Sequence, residues 1–349
     1  MKGYKSLFTI FICILFILPL SSSAYKTSFQ KNNFSNQYQG FYAEDITFDD
    51  ACYKGSDIFH ILEWWYFDAV FDNGYSIEYH MDLFSKAKIG LAVSMLNIYK
   101  DGNLVSHSEK IDTYKEFNGY KYRPFLWLSG QQILRGEKDE FNNWNFQLSI
   151  TMNDGYVDLN FDSSTKGWKS KILNMWWWGV IQPKAEVTGK ITLLNKTIPV
   201  EGTGYQEHGW DGNLPSVVGW FWGKLSGETL NVVWTNVIKY PWKQYLMLVI
   251  NEDQGDYVNI PVKDIIFKKS GYKIIDGTMI PTTFYFYVDT EEIKIDVILR
   301  PINIEHQRSF GPFNYWRYHC RATGTLSYDS VTENIDSIEI MDLTKFLMI

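Results

Sequence analysis

Residues 72–83 read Asp72-Asn73-Gly74-Tyr75-Ser76-Ile77-Glu78-Tyr79-His80-Met81-Asp82-Leu83, a turn signal followed by strict alternation. Tyr75, Ile77, Tyr79, Met81 and Leu83 share one face and Ser76, Glu78, His80 and Asp82 the other. Successive side chains of an extended strand point to opposite sides, so this pattern predicts a half-buried strand entered through a hairpin turn. The polar face reads as solvent-facing, or else as the lining of a polar lumen.

The same period recurs along the chain. Phe146, Leu148 and Ile150 alternate with polar residues, Asn153-Asp154-Gly155 turns, and Val157, Leu159 and Phe161 repeat the pattern, a second hairpin. Tyr245 to Ile250, Phe284 to Val288, Ile293 to Leu299 and Ala322 to Tyr328 read as further strands, while no long stretch has helical periodicity. The 14 Trp, 23 Tyr and 23 Phe suit strands with broad packing surfaces. The chain is expected to be all-β, its dense antiparallel strands and short turns suiting a barrel or sandwich.

An internal echo divides it. Trp65-Tyr66-Phe67, Val70, Ile77 and Tyr79 are answered by Trp220-Phe221-Trp222, Leu225, Val232 and Trp234, each 155 positions later. Duplication predicts two similar β domains, 42–201 and 202–349, preceded by a disordered lead-in over 25–41 that is rich in Asn, Gln, Ser and Lys.

Residues 1–24 have the plan of a secretory signal peptide: Lys2 and Lys5, an apolar run from Leu7 to Leu20, then Ser22-Ser23-Ala24 for cleavage. A spanning helix needs about 20 apolar residues, so an uncleaved anchor is the secondary reading and an extracytoplasmic location the first. Removing Lys2 and Lys5 takes 33 basic residues to 31 against 40 acidic ones, a net charge near −9 that excludes nucleic acid as a partner. With Cys13 in the cleaved segment, Cys52 and Cys320 are left either to bridge or to lie buried as free thiols. The sequons Asn33-Phe34-Ser35 and Asn195-Lys196-Thr197 matter only in a glycosylating host.

The densest chemistry lies at Gly202-Thr203-Gly204-Tyr205-Gln206-Glu207-His208-Gly209-Trp210-Asp211-Gly212. Gly202 and Gly204 offer backbone freedom, and Glu207, His208 and Asp211 are groups able to move protons. Gly219-Trp220-Phe221-Trp222-Gly223 follows, aromatic surface able to wall an apolar cavity. These features also fit an inter-domain turn with a core tryptophan stripe. Near the end, His306, Arg308, Arg317 and His319 interleave with Phe310, Phe313, Tyr315 and Trp316, either surface cations or a seat for an anionic head group. The six histidines are dispersed, and no metal or cofactor is expected.

Glu63-Trp64-Trp65-Tyr66-Phe67, with the central Gly204-Tyr205-Gln206-Glu207-His208-Gly209-Trp210-Asp211 and the Trp-rich strand after it, resembles the lipocalin-like family of carotenoid 1,2-hydratase (hydroxyneurosporene synthase) and AttH. Its central pattern is Gly-Tyr-His-Asp-His-Asn-Trp-Gly, so Gln206 stands for the first histidine, Glu207 for the aspartate and Asp211 for a glycine. The resemblance implies two tandem lipocalin-like (calycin) antiparallel barrels over roughly 42–349, with the central motif opening the second. It implies a small hydrophobic ligand, isoprenoid or lipid, and at most peripheral contact with a membrane.

Acid-promoted hydration or cyclisation of a C=C bond would need a protonated carboxyl in a dry pocket and indole faces to stabilise the cation. Glu207 is the candidate acid, His208 its orienting or proton-accepting partner and Tyr205 a hydrogen-bond donor; Trp210, Trp220, Trp222, Trp65 and Tyr66 are the candidate ligand contacts. The alternatives are a non-catalytic apolar-ligand carrier and a carbohydrate binder or glycosidase with two carboxylates flanking a groove.

Overall fold

A computed structural model describes residues 38–55, 62–152, 155–212, 216–308 and 313–346. The expected signal peptide, Cys13, the sequon at Asn33, the Asn153-Asp154 turn, Phe310 and the side chains of Arg308 and Phe313 lie outside the described residues.

Apart from three short 3-10 turns, regular structure among the described residues is all strand. One sheet of thirteen strands, eleven in a continuous order with Trp168–Ile172 and Glu44–Asp45 off it, curls into a nearly closed barrel, and one of ten, nine in order with Tyr257–Asn259 off it, into a half-barrel. The first runs Asn103–Thr113, Ile89–Lys100, Tyr75–Lys86, Leu62–Phe71, Lys196–Trp210, Trp176–Leu193, Gly155–Ser163, Trp144–Met152, Gln131–Lys138, Phe125–Leu128, Phe117–Gly119. The second runs Tyr38–Gly40, Lys243–Glu252, Leu230–Lys239, Val217–Ser226, Val331–Phe346, Phe313–Tyr328, Ile293–Arg308, Thr283–Asp289, Ile265–Ser270. Each has one plan: a three-strand meander whose first strand is flanked on its other side by the unit's last long strand.

Both expected hairpins form, with Phe67 opposite Tyr79 and Leu148 opposite Leu159. Ile77, Tyr79, Met81 and Leu83 fill the first barrel with Phe146, Leu148, Val157 and Phe161. Phe221, Leu225, Val232, Trp234, Phe284 and Phe286 fill the second. Both interiors are therefore packed cores, as barrels of this size allow.

The polar face of the first hairpin is not solvent-facing: Ser76, Glu78 and His80 are buried. It packs across a seam on the second sheet, where Tyr66, Trp168, Trp176, Trp178 and Tyr205 meet Trp222, Val233, Val237 and Met247 in a third apolar cluster. Lys224 pairs with Asp68 there, and Arg317 with Glu78, each fully buried.

Two expectations on organisation meet different structure, and the choice left open for Cys52 and Cys320 falls to free buried thiols. Tyr38–Gly40, placed in the disordered lead-in, is a strand pairing parallel with Lys243–Glu252, and the following Phe41 stacks on Tyr245 at 5.6 Å. The expected division at 201/202 falls inside the Lys196–Trp210 strand; the chain changes sheet between Trp210 and Val217, so the central motif is the last strand of the first sheet. Cys52 and Cys320 are unbridged, both buried, the second in the half-barrel core.

Candidate functional site

Between the sheets lies a cavity of about 100 Å³ with Trp64, Tyr66, Trp176, Trp178, Trp220 and Trp222 in its wall. Its groups come from facing strands in two registered rows. Glu207, Tyr66 and His80 are cross-strand partners in turn on the first sheet. Arg317, Asp342, Trp222 and Thr235 succeed one another on the second. All seven line the cavity.

Glu207 is held by neutral donors. Trp64 Nε1 donates to Oε1 at 2.9 Å, and Trp178 Nε1 and the Tyr205 hydroxyl donate to Oε2 at 2.6 and 2.7 Å. Burial lifts its carboxyl above the ordinary value against the pull of these donors. A carboxylate has about four lone-pair positions, so one on Oε1 is left for a proton. Tyr205 stands behind it, its ring 4.8 Å from that of Trp222.

The period of the strand separates what the motif joined. His208 points away from the cavity: its Nδ1 donates to Asp50 O at 2.7 Å, its Nε2 meets Glu63 Oε1 at 2.9 Å, and its ring stacks on Trp65 at 4.8 Å. It does not orient Glu207. Trp65 lies in the first barrel core, and Trp210 packs on His208 and Trp177. Of the expected contacts, Tyr66, Trp220 and Trp222 line the cavity and Trp65 and Trp210 do not. Gln206 shares the His208 face, its amide donating to Glu207 O at 3.0 Å, and Asp211 follows the strand in left-handed backbone with φ 60°.

Gly202 and Gly204 serve close approach, not backbone freedom. A Cβ on Gly202 would sit 2.2 Å from Val70 O, and one on Gly204 2.5 Å from a Val187 methyl.

A polar cluster that sequence reasoning left on the surface completes the site. Arg317 is buried, donating to both oxygens of Asp342 at 2.8 and 2.7 Å while pairing with Glu78. It is no free seat for an anionic head group. His319, expected beside it, is buried too, its Nε2 2.9 Å from Ser76 Oγ, and burial with nearby Arg317 pushes it down to about 3. His80 Nδ1 lies 2.6 Å from Glu78 Oε1 and Nε2 3.7 Å from Asp82. Burial opposes charge on both partners, yet Glu78 and Asp82 hold His80 up at about 9, and Arg317 and His80 hold Glu78 down at about 2. Trp176 and Trp178, a period-two pair, were legible in sequence as a strand face; the Arg317–Asp342 and Arg317–Glu78 pairs carry no sequence signal. Among the described residues no group of three or more His, Cys, Asp or Glu side chains is disposed to hold a metal ion.

No protein-family model matches this chain, and no curated protein does. Among solved structures, an AttH candidate from Nitrosomonas europaea is similar at TM-score 0.59 and 13% identity, over 82% of this chain and 92% of that one. Kievitone hydratase from Nectria haematococca follows at TM-score 0.55 and 11% identity, over 82% and 89%. CghA with Sch210972 is similar at TM-score 0.54 and 11% identity, over 82% and 88%. The likeness is one of fold. It places the chain among tandem lipocalin-like barrels.

Proposed function

We propose that this chain is an exported protein of AttH type that binds a largely apolar, unsaturated small molecule, isoprenoid or lipid-like, in the seam cavity. There Glu207 protonates a C=C bond, and hydration or ring closure follows without a cofactor. The observation that carries this is a buried carboxyl, ringed by indole and phenol donors with no cation among them, in one cavity with Trp220 and Trp222.

An alkene is a feeble base, so the donor must be protonated near neutral pH and water largely excluded; burial of Glu207 serves both needs. Its proton adds to one alkene carbon and leaves a cation on the other. Facing indoles each stabilise that cation by on the order of 1 to 2 kcal/mol. Water, or an internal hydroxyl, then adds and returns a proton to the Glu207 carboxylate, which acts as acid and then as base. A hydratase among the structures of this fold supports the hydration branch. The finer assignment to carotenoid 1,2-hydratase has less support, because Gln206, standing for that pattern's first histidine, is turned away from the cavity.

A carrier is the second reading, favoured by the three donors that anchor Glu207 as a structural group would be anchored. Incubation of the protein with isoprenoid alkenes in D₂O separates the two. The enzyme incorporates carbon-bound deuterium, detected by mass spectrometry, and Glu207→Gln lowers the rate at least about 100-fold while ligand affinity stays within a few fold. Alkenes that bind without incorporation would leave the carrier.

A further inference from the structure

The polar end of the cavity restricts what its ligand can carry. Among the described residues, Tyr66 Oη and His80 Nε2 have no hydrogen-bond partner, although both residues are more than nine-tenths buried and line the cavity. Leaving such groups unpaired is unfavourable, because each has given up its hydrogen bond to water and gained none in the fold. Both are donors: a phenol gives its hydrogen, and a His80 that meets Glu78 through Nδ1 and faces Asp82 through Nε2 is an imidazolium with a hydrogen on each nitrogen. A ligand that satisfies them must therefore bring an acceptor.

The surrounding charge then fixes the acceptor's kind. Facing His80 are Glu78 and Asp82 on its own strand, Tyr66 on the strand beside it, and Tyr315, Arg317 and Asp342 on the strands packed across the seam. Three carboxylates, Glu78, Asp82 and Asp342, stand against two cations, Arg317 and His80, and both acidic partners of Arg317 are already in contact with it. A carboxylate or phosphate on the ligand would meet a surplus of like charge in a poorly screened site. An ammonium would be drawn to the carboxylates but brings no acceptor, so the Tyr66 and His80 hydrogens would stay unpaired.

We propose that the seam cavity selects a ligand with an uncharged oxygen function, a carbonyl or hydroxyl, held by Tyr66 Oη and His80 Nε2. This rests on the seam being the ligand site, as above, and it deepens that reading. Because Glu207, Tyr66 and His80 are successive cross-strand partners about 5 Å apart per step, the oxygen sits on the order of 5 to 10 Å from the carbon that Glu207 addresses.

Four probes on one fifteen-carbon skeleton test it by quenching of tryptophan fluorescence at pH 7: farnesene, farnesol, farnesal and farnesoic acid. Farnesol and farnesal are expected to bind at least about tenfold more tightly than both the hydrocarbon and the acid. Tyr66→Phe, which keeps the ring and its packing on Trp222, should bring farnesol to within threefold of farnesene; His80→Gln should do the same. If farnesene or farnesoic acid binds as tightly as farnesol, or if Tyr66→Phe keeps the preference, the inference is overturned while the seam stands as a ligand site. Quenching by none of the four overturns both.

Discussion

Gly209 has no side chain because Trp64 occupies the space where one would be: a Cβ there would lie 2.0 Å from the Trp64 ring. Since Trp64 Nε1 is one of the three donors to Glu207, the glycine shapes the site through its neighbour. Gly209→Ala is expected to displace the indole, break that bond and cost about 1 to 3 kcal/mol in urea unfolding; an unchanged midpoint would contradict it. His80 gives a pH signature. Its folded value of about 9 exceeds its ordinary 6.5, so the folded state binds more protons between those values. The stability it contributes is complete below about 6.5 and lost as pH rises through about 9. His80→Gln should flatten the decline of the urea midpoint across that window. At this scale Glu207 was legible, since few stretches set a carboxyl so near aromatic residues. The role given to His208 was not recoverable from adjacency, because neighbours on a strand face opposite ways.

At the scale of elements, the internal echo is present but shifted. Val232 and Trp234 match Ile77 and Tyr79 at 155 positions, as both pairs lie in their barrel cores. On the preceding strand the equivalent positions are 156 apart: Phe67 faces Tyr79, whereas Gly223, not Trp222, faces Trp234. A one-residue slip reverses every side chain, so Trp65 enters a core while Trp220 faces the seam. With that shift, Trp64 matches Trp220, Tyr66 matches Trp222 and Asp68 matches Lys224; Asp342, partner of Trp222, then answers Glu207, partner of Tyr66. The slip is set at the hairpin turn, where four residues separate the paired Ser226 and Asn231 but five separate the paired Val70 and Ser76, and no pattern of aromatic residues in sequence announces it. The Tyr38–Gly40 strand was equally hidden, being too short for periodicity to show. Truncation to begin at Tyr42 should lower stability by about 3 kcal/mol in thermal or chemical unfolding, largely through loss of buried Phe41.

For the whole molecule, the seam matters as much as either core. Asp68 and Lys224 form a fully buried pair, and breaking one side leaves an uncompensated charge. Lys224→Met is expected to cost about 3 to 5 kcal/mol, and the double variant Asp68→Leu/Lys224→Met to recover most of it. Additive single effects in that cycle would deny the coupling. The thiols join nothing: reductant should leave the melting temperature unchanged, and alkylation of Cys52, which burial lifts to about 12, should require unfolding. The sequence by itself determined the strands, the hairpins and the aromatic character of the site, because a period of two and turn chemistry act over a few residues. Only the tertiary structure decided that the polar face of the first hairpin is buried and that the cavity lies between the barrels. It also decided that Glu207 is met by Trp178 and Arg317 by Glu78 and Asp342. Those contacts depend on how two sheets, formed from distant stretches of chain, pack their outer faces together, and alternation within one strand carries no record of what will face it.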